Sequence, residues 1–236
     1  MKIGAVGCSN SSFVWGNPWH HFVGIKYNAD IISGSSTGAG NEMNIDKMRI
    51  ILQNNKLDYF IVQVTEPSRF VIGIENYMEE LNTNEINPAI GEKGLHGHNR
   101  YQDLAFYTFN GRSNDENLER LFGRKFNVDD FFINHVFTSN FNTNNKVFHT
   151  LLTMKALCDS YNVKVLFFSW FVELFHLAKK CGYYDVIKNF NICEGTVYEY
   201  MCNNDIKPLP DGHFDSLGHE KLVNGYLVPF LDQHLK

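Results

Sequence analysis

The sequence has no stretch of ~18 uncharged apolar residues, which excludes a helix that spans a bilayer. It has no excess of basic charge: 21 Lys and Arg stand against 26 Asp and Glu, for a net charge of −5. A nucleic-acid binder shows a basic stripe, and none is present. The five cysteines, Cys8, Cys158, Cys181, Cys193 and Cys202, are scattered, odd in number and without a CxxC pair. That argues against a disulfide framework and against a structural zinc site. There is no internal repeat and no low-complexity segment. The first residues enter an apolar run at once, with no charged leader or signal region. The expected setting is therefore reducing and cytoplasmic, with a phage or viral particle, or a processed precursor, as alternative origins.

What is present is a chain of 236 residues, 44% of them apolar, which suits one large domain with a real core. Residues 2–8 read as a short buried strand closed by Gly7. Residues 12–30 read as a loop carrying Trp15, Pro18, Trp19 and the pair His20–His21. After the Gly and Ser turn over 33–41, Asn41 is an N-cap candidate, and Ile45, Met48, Ile51 and Leu52 recur at helical spacing. Asp58–Val64 and Val163–Trp170 are two further buried strands. A helix from about Asn145 shows Val147, Leu151, Met154 and Cys158 on one face. Glu75–Leu81 and Asn117–Phe122 have helical character, with a long loop around 82–100 between them. Phe171–Cys181 turns back as a helix or loop, and Glu220–Leu231 is a final helix in which Pro229 kinks or ends the run. Strands alternating with helices predict an α/β layer sandwich on a mostly parallel sheet, whose sites form at the carboxyl ends of the strands.

Two motifs at opposite ends carry chemistry. Gly7-Cys8-Ser9-Asn10-Ser11 puts a serine just past a strand. Pro210-Asp211-Gly212-His213 puts an aspartate and a histidine two residues apart, five residues before Gly218. Nucleophile, orienter and base in the order Ser, Asp, His are the minimum equipment for nucleophilic acyl transfer. With Gly38-Ala39-Gly40-Asn41 between them, these blocks resemble the SGNH, or GDSL-type, hydrolase superfamily of esterases, lipases and carbohydrate deacetylases. The resemblance covers most of the chain outside residues 70–145. It implies a three-layer α/β/α sandwich of flavodoxin-like form, with residues 1–236 as one SGNH-hydrolase-like domain carrying a divergent insert at about 70–145.

The sequence departs from the family pattern at three places. Cys8 stands where the family has Asp. Asp211 and His213 are one residue closer than the family's Asp-x-x-His. Thr65-Glu66-Pro67-Ser68-Arg69 replaces the block whose asparagine helps bind the oxyanion. The resemblance implies Ser9 as nucleophile, His213 as base and Asp211 as its orienter. The backbone N–H groups of Ser9 and Gly38 face the oxyanion, with Thr65, Ser68 or Arg69 as a possible third donor. Arg69 and Trp170 are candidate substrate-binding residues. No cofactor and no metal are implied.

Each residue also has a plainer reading. Ser9 caps a turn, Asp211 is a turn residue in Pro-Asp-Gly, and Asp215 caps the last helix. His219 packs in that helix, and Arg69 forms a surface ion pair. Trp170 belongs to a mostly core aromatic run. His20 and His21 line the cleft or decorate a loop. His96 and His98 form a solvated HxH pair without further ligands nearby. Cys8 is an inert buried thiol, with a thiol nucleophile as the minor alternative. Three functions remain open at this stage. The leading one is a serine esterase cleaving a small acyl ester, O-acetyl and carbohydrate-borne among the options, through an acyl-enzyme on Ser9. The others are an O-acyltransferase using the same residues, and a non-catalytic structural or glycan-binding protein that keeps the fold. The expected partner is a small-molecule or carbohydrate ester, with no nucleic acid and no membrane.

Overall fold

A computed structural model describes residues 1–35, 39–65, 69–74, 105–110, 140–210 and 212–235. The chain starts in β1 (Lys2–Val6), passes two 3-10 turns and enters α1 (Trp19–Tyr27). It continues through β2 (Asp30–Ser33), α2 (Asn41–Asn54) and β3 (Tyr59–Val64). β4 (Arg69–Ile74) and β5 (Ala105–Asn110) pair antiparallel as a separate two-stranded sheet inside the region expected to be an insert. Then come α3 (Asn140–Ser160), β6 (Lys164–Ser169), α4 (Leu174–Cys181), α5 (Tyr184–Ile187) and α6 (Val197–Asn203). The chain closes with α7 (Ser216–Leu222), a π-helical stretch (Val223–Leu227) and α8 (Val228–Leu231). The helices expected over 75–81 and 117–122, the long loop around 82–100 and the pair His96/His98 lie outside the described residues.

The main sheet is parallel throughout, in the order β2-β1-β3-β6, with Phe167 of β6 bridging Ile192 beyond it. Alternation splits its side chains between two cores. Val6, Phe60, Val62, Val64, Val165 and Phe167 face α2 and α3. Ile3, Ala5, Ile61, Leu166, Phe168 and Trp170 face α1 and the C-terminal helices. The result is the three-layer α/β/α sandwich that the family resemblance implies, on the parallel sheet that the sequence pattern predicts. Fully burying one of these large side chains contributes roughly 1.5–3 kcal/mol, so both cores are substantial. The predicted stripe Val147, Leu151, Met154 and Cys158 is buried as one face of α3. No helix among the described residues is long and apolar enough to cross a membrane.

Three local expectations are corrected. Residues 12–30 are not a loop: Pro18 precedes α1 as its N-cap, and Asn28 ends it in the left-handed conformation at φ 47°. β2 follows within two residues of Asn28. The buried face of α1 includes His20 beside Trp19 and Val23, so its apolar periodicity is broken. Asn41 is not the N-cap of α2. Gly40 is, and Asn41 is the first helical residue, with its side chain committed elsewhere. The last helix starts at Ser216 rather than Glu220, because Asp215 caps it by accepting from Gly218 N–H at 2.8 Å. It widens to a π-helix just ahead of Pro229, which has no N–H to continue an α-helical ladder.

Candidate active site

β1 ends at Val6, and Gly7 and Cys8 lead into the 3-10 turn Ser9–Ser11. The turn is closed by Ser11 N–H to Cys8 O at 2.8 Å and Ser12 N–H to Ser9 O at 3.1 Å. Ser12 Oγ also donates to Ser9 O at 2.9 Å. Gly7 permits this geometry, because a Cβ there would fall 2.6 Å from Gln63 Oε1 and closer still to Ser11 Oγ. Ser9 is buried to 6% exposure. Cys8 is buried too.

β1 and β3 pair in parallel up to Val6 and Val62, so the Ser9 turn after β1 and Thr65, the first residue after β3, both leave the carboxyl edge of the sheet. Thr65 is buried, and both its backbone groups are held by one side chain. Asn41 Oδ1 accepts its N–H at 2.8 Å and Asn41 Nδ2 donates to its carbonyl at 3.3 Å. Its own hydroxyl has no hydrogen-bond partner among the described residues.

The C-terminal motif arrives at the same edge. A turn closed by Leu209 N–H to His213 O at 2.7 Å and Gly212 N–H to Leu209 O at 2.9 Å presents His213. The second turn after Ser9, Phe13–Trp15, exposes Phe13 and Val14 and lays the Trp15 ring on the His213 imidazole. The two ring centroids are 3.6 Å apart and the planes differ by 7°. Gly16, at φ 120°, packs against Ser216, whose Oγ accepts from Asn17 N–H at 2.8 Å. The segment that follows the candidate nucleophile is thus joined directly to the segment that carries the candidate base.

Two more imidazoles sit behind this edge. His20 is buried, and its Nε2 is 2.8 Å from Ser11 O and 3.1 Å from Ser33 Oγ. A carbonyl can only accept, so Nε2 carries the proton. Burial pulls His20 down to about 4, against the opposing pull of the Ser11 hydrogen bond and with help from neighbouring His21. His219 is also lowered to about 4, first by burial and then by His20, with Asp215 opposing and His213 assisting. Both are neutral in the folded protein at pH 7, which leaves them structural roles at the back of the site. No group of three or more His, Cys, Asp or Glu among the described residues is placed to hold a metal ion.

The other expected positions divide as follows. Gly38, Ser68 and Asp211 lie outside the described residues. Arg69 opens β4. Trp170 is a core residue rather than a surface one, at 1% exposure. Its place on the same sheet face as Leu166 and Phe168 sends it inward, 5.9 Å from the Phe214 ring and 6.1 Å from that of His219. Sequence reasoning did not single out Gln63, Ser11 or Asn41 as site residues. The available signal was a lone glutamine in an otherwise apolar strand.

No protein-family model matches the sequence, and no curated protein matches it. Solved structures do. The chain is similar to TesA with a TM-score of 0.52 at 9% identity, over 99% of each chain. It is also similar to a GDSL-like lipase from Bacteroides thetaiotaomicron, with a TM-score of 0.48 at 10% identity, over 99% of this chain and 89% of that one. The likeness to TesA agrees with the architecture of the described residues: the chain shares that protein's α/β/α fold.

Proposed function

We propose that the protein is a serine esterase of the SGNH type that cleaves a small acyl ester through an acyl-enzyme on Ser9. One observation carries this reading. The turn that follows Ser9 stacks Trp15 on His213, at the carboxyl edge of a parallel sheet. Open α/β sheets bind their ligands at that edge.

In this mechanism Ser9 Oγ attacks the ester carbonyl while His213 takes its proton. Asp211 orients the imidazole and stabilises its cation. The tetrahedral intermediate collapses, and His213 gives its proton to the leaving alcohol. Water then attacks the acyl-enzyme with His213 again as base, releasing the acid and restoring Ser9. The backbone N–H groups of Ser9 and Gly38 stabilise the oxyanion. Thr65 supplies the third donor, a choice over Ser68 and Arg69 supported by its place directly after β3 at the carboxyl edge and by its buried hydroxyl, which has no partner among the described residues. The proposed substrate is an O-acetyl ester, with a carbohydrate as the alcohol.

Treatment with a fluorophosphonate probe tests this reading. The expected result is one adduct per chain on Ser9, lost in His213→Ala, together with cleavage of activated acetyl esters. A folded wild-type protein that neither labels nor cleaves would favour a non-catalytic role for the fold. Product partitioning in the presence of added alcohols separates hydrolysis from acyl transfer.

A further inference from the structure

Behind the Ser9 turn, one buried amide holds both of its ends. Gln63 has no solvent exposure and sits on β3, where an apolar residue would pack without hydrogen-bonding demands. Its Oε1 accepts from Cys8 N–H at 3.3 Å and from Ser11 Oγ. Its Nε2 donates to Cys8 Sγ at 3.1 Å. Cys8 and Ser11 flank Ser9 and Asn10 on either side. Ser11 Oγ has one proton, which goes to Gln63, so it accepts from the Trp19 indole N–H at 2.5 Å. The Ser11 carbonyl is held in turn by His20.

We propose that Gln63 is a positioning residue for the Ser9 nucleophile, acting through Cys8 and Ser11. The inference rests on the proposed role of Ser9. A 3-10 turn has poorer hydrogen-bond geometry than an α-helix and is used in short pieces. This one has no side-chain cap at Cys8. Gln63 supplies the missing constraint from the sheet side, fixing where the Ser9 hydroxyl and N–H point. The position Cys8 occupies joins the same grip, because its sulfur accepts from the amide that its own N–H binds.

The test compares wild type with Q63M, Q63E and S11A. The readouts are the second-order rate of fluorophosphonate labelling at Ser9, kcat and KM on an activated acetyl ester, and circular dichroism for folding. Methionine keeps the length and removes the hydrogen bonds. Q63M is expected to slow labelling about 30- to 100-fold, the order of loss that a displacement of ~1 Å causes. S11A is expected to slow it about 10-fold, and both variants lower kcat with KM within about twofold of wild type. Q63E adds a signature that packing alone would not give. A neutral carboxylic acid can accept and donate as the amide does, whereas its anion has lost the donor. The Q63E rate relative to wild type is therefore expected near unity at pH 5 and more than about 10-fold lower at pH 9, because burial raises the carboxyl pKa into that window. Folded Q63M that labels within twofold of wild type would overturn the proposal, and S11A decides by the same criterion if Q63M does not fold. Wild type that never labels at Ser9 overturns the nucleophile and this inference together. Labelled wild type with indifferent variants overturns this inference alone.

Discussion

The two ends of the parallel sheet are built differently. At the amino ends, polar contacts are exposed: Lys2 N–H donates to Asp58 Oδ2 at 2.7 Å, and Lys2 Nζ lies 3.7 Å from an Asp30 carboxylate that is 69% exposed. At the carboxyl ends, polar groups are buried and bonded to each other, as in Gln63 with Ser11 and Cys8, Asn41 with Thr65, and His20 with Ser11. Buried side-chain atoms without a partner among the described residues collect there as well. Asn10 Oδ1, Ser35 Oγ and Thr65 Oγ1 follow β1, β2 and β3 directly, and Asn44 lies in the first turn of α2. An exposed ion pair is replaceable, whereas a buried polar network is costly unless satisfied. The asymmetry says where the fold has accepted cost, and catalysis is the reason we assign to it.

The largest break in this comparison comes from the proposed chemistry itself. Ser9→Ala and His213→Ala are each expected to lower esterase kcat by about 10,000-fold while leaving the thermal midpoint nearly unchanged, by enzyme assay beside calorimetry. An active Ser9→Ala would remove the nucleophile assignment. The next effect is on stability. His20 and His219 have folded values near 4 and an ordinary value of 6.5, so the unfolded chain takes up protons first as the pH falls. The stability they confer is complete above pH 6.5 and is lost progressively toward pH 4, up to about 3 kcal/mol for each. Urea midpoints at pH 7, 5.5 and 4.5 should decline in that order, and a flat profile would contradict the assignment.

A smaller loss follows from Asn41→Ala. It strands the N–H and carbonyl of Thr65 in a buried place, and about 2 kcal/mol of stability should go, with a fall in kcat if Thr65 faces the oxyanion. Urea unfolding with parallel kinetics checks both. The smallest effect belongs to the opposite end. Asp30→Asn removes an exposed pair and should cost less than about 1 kcal/mol with no change in activity. A larger cost there would blur the distinction between the ends.

The parts that sequence made legible are those where one physical term dominates. β1, β3 and β6 are predominantly apolar runs buried on both faces, and the α3 stripe repeats at the spacing a helix needs. α1 was hidden because His20 takes a core position where the pattern calls for an apolar residue, and β2 because four residues carry little periodicity. The Ser9 and His213 motifs are local, so they stand out. The network behind them is not: Gln63 meets Cys8 across 55 residues through the register of β1 on β3, and Asn41 meets Thr65 across 24 through the packing of α2 on the sheet.

The bridge of Phe167 to Ile192 has a consequence for self-association. Phe167 N–H donates to Asn191 O and its carbonyl accepts from Cys193 N–H, each at 2.8 Å, while Asn191 Nδ2 reaches Val165 O at 3.1 Å. A few residues of irregular chain thereby occupy the outward-facing backbone groups of β6. At the other border, β2 offers only four residues and begins at a carboxylate. Among the described residues neither side of this sheet presents a long, flat, unpaired ribbon, an arrangement that resists extension by a strand from another molecule.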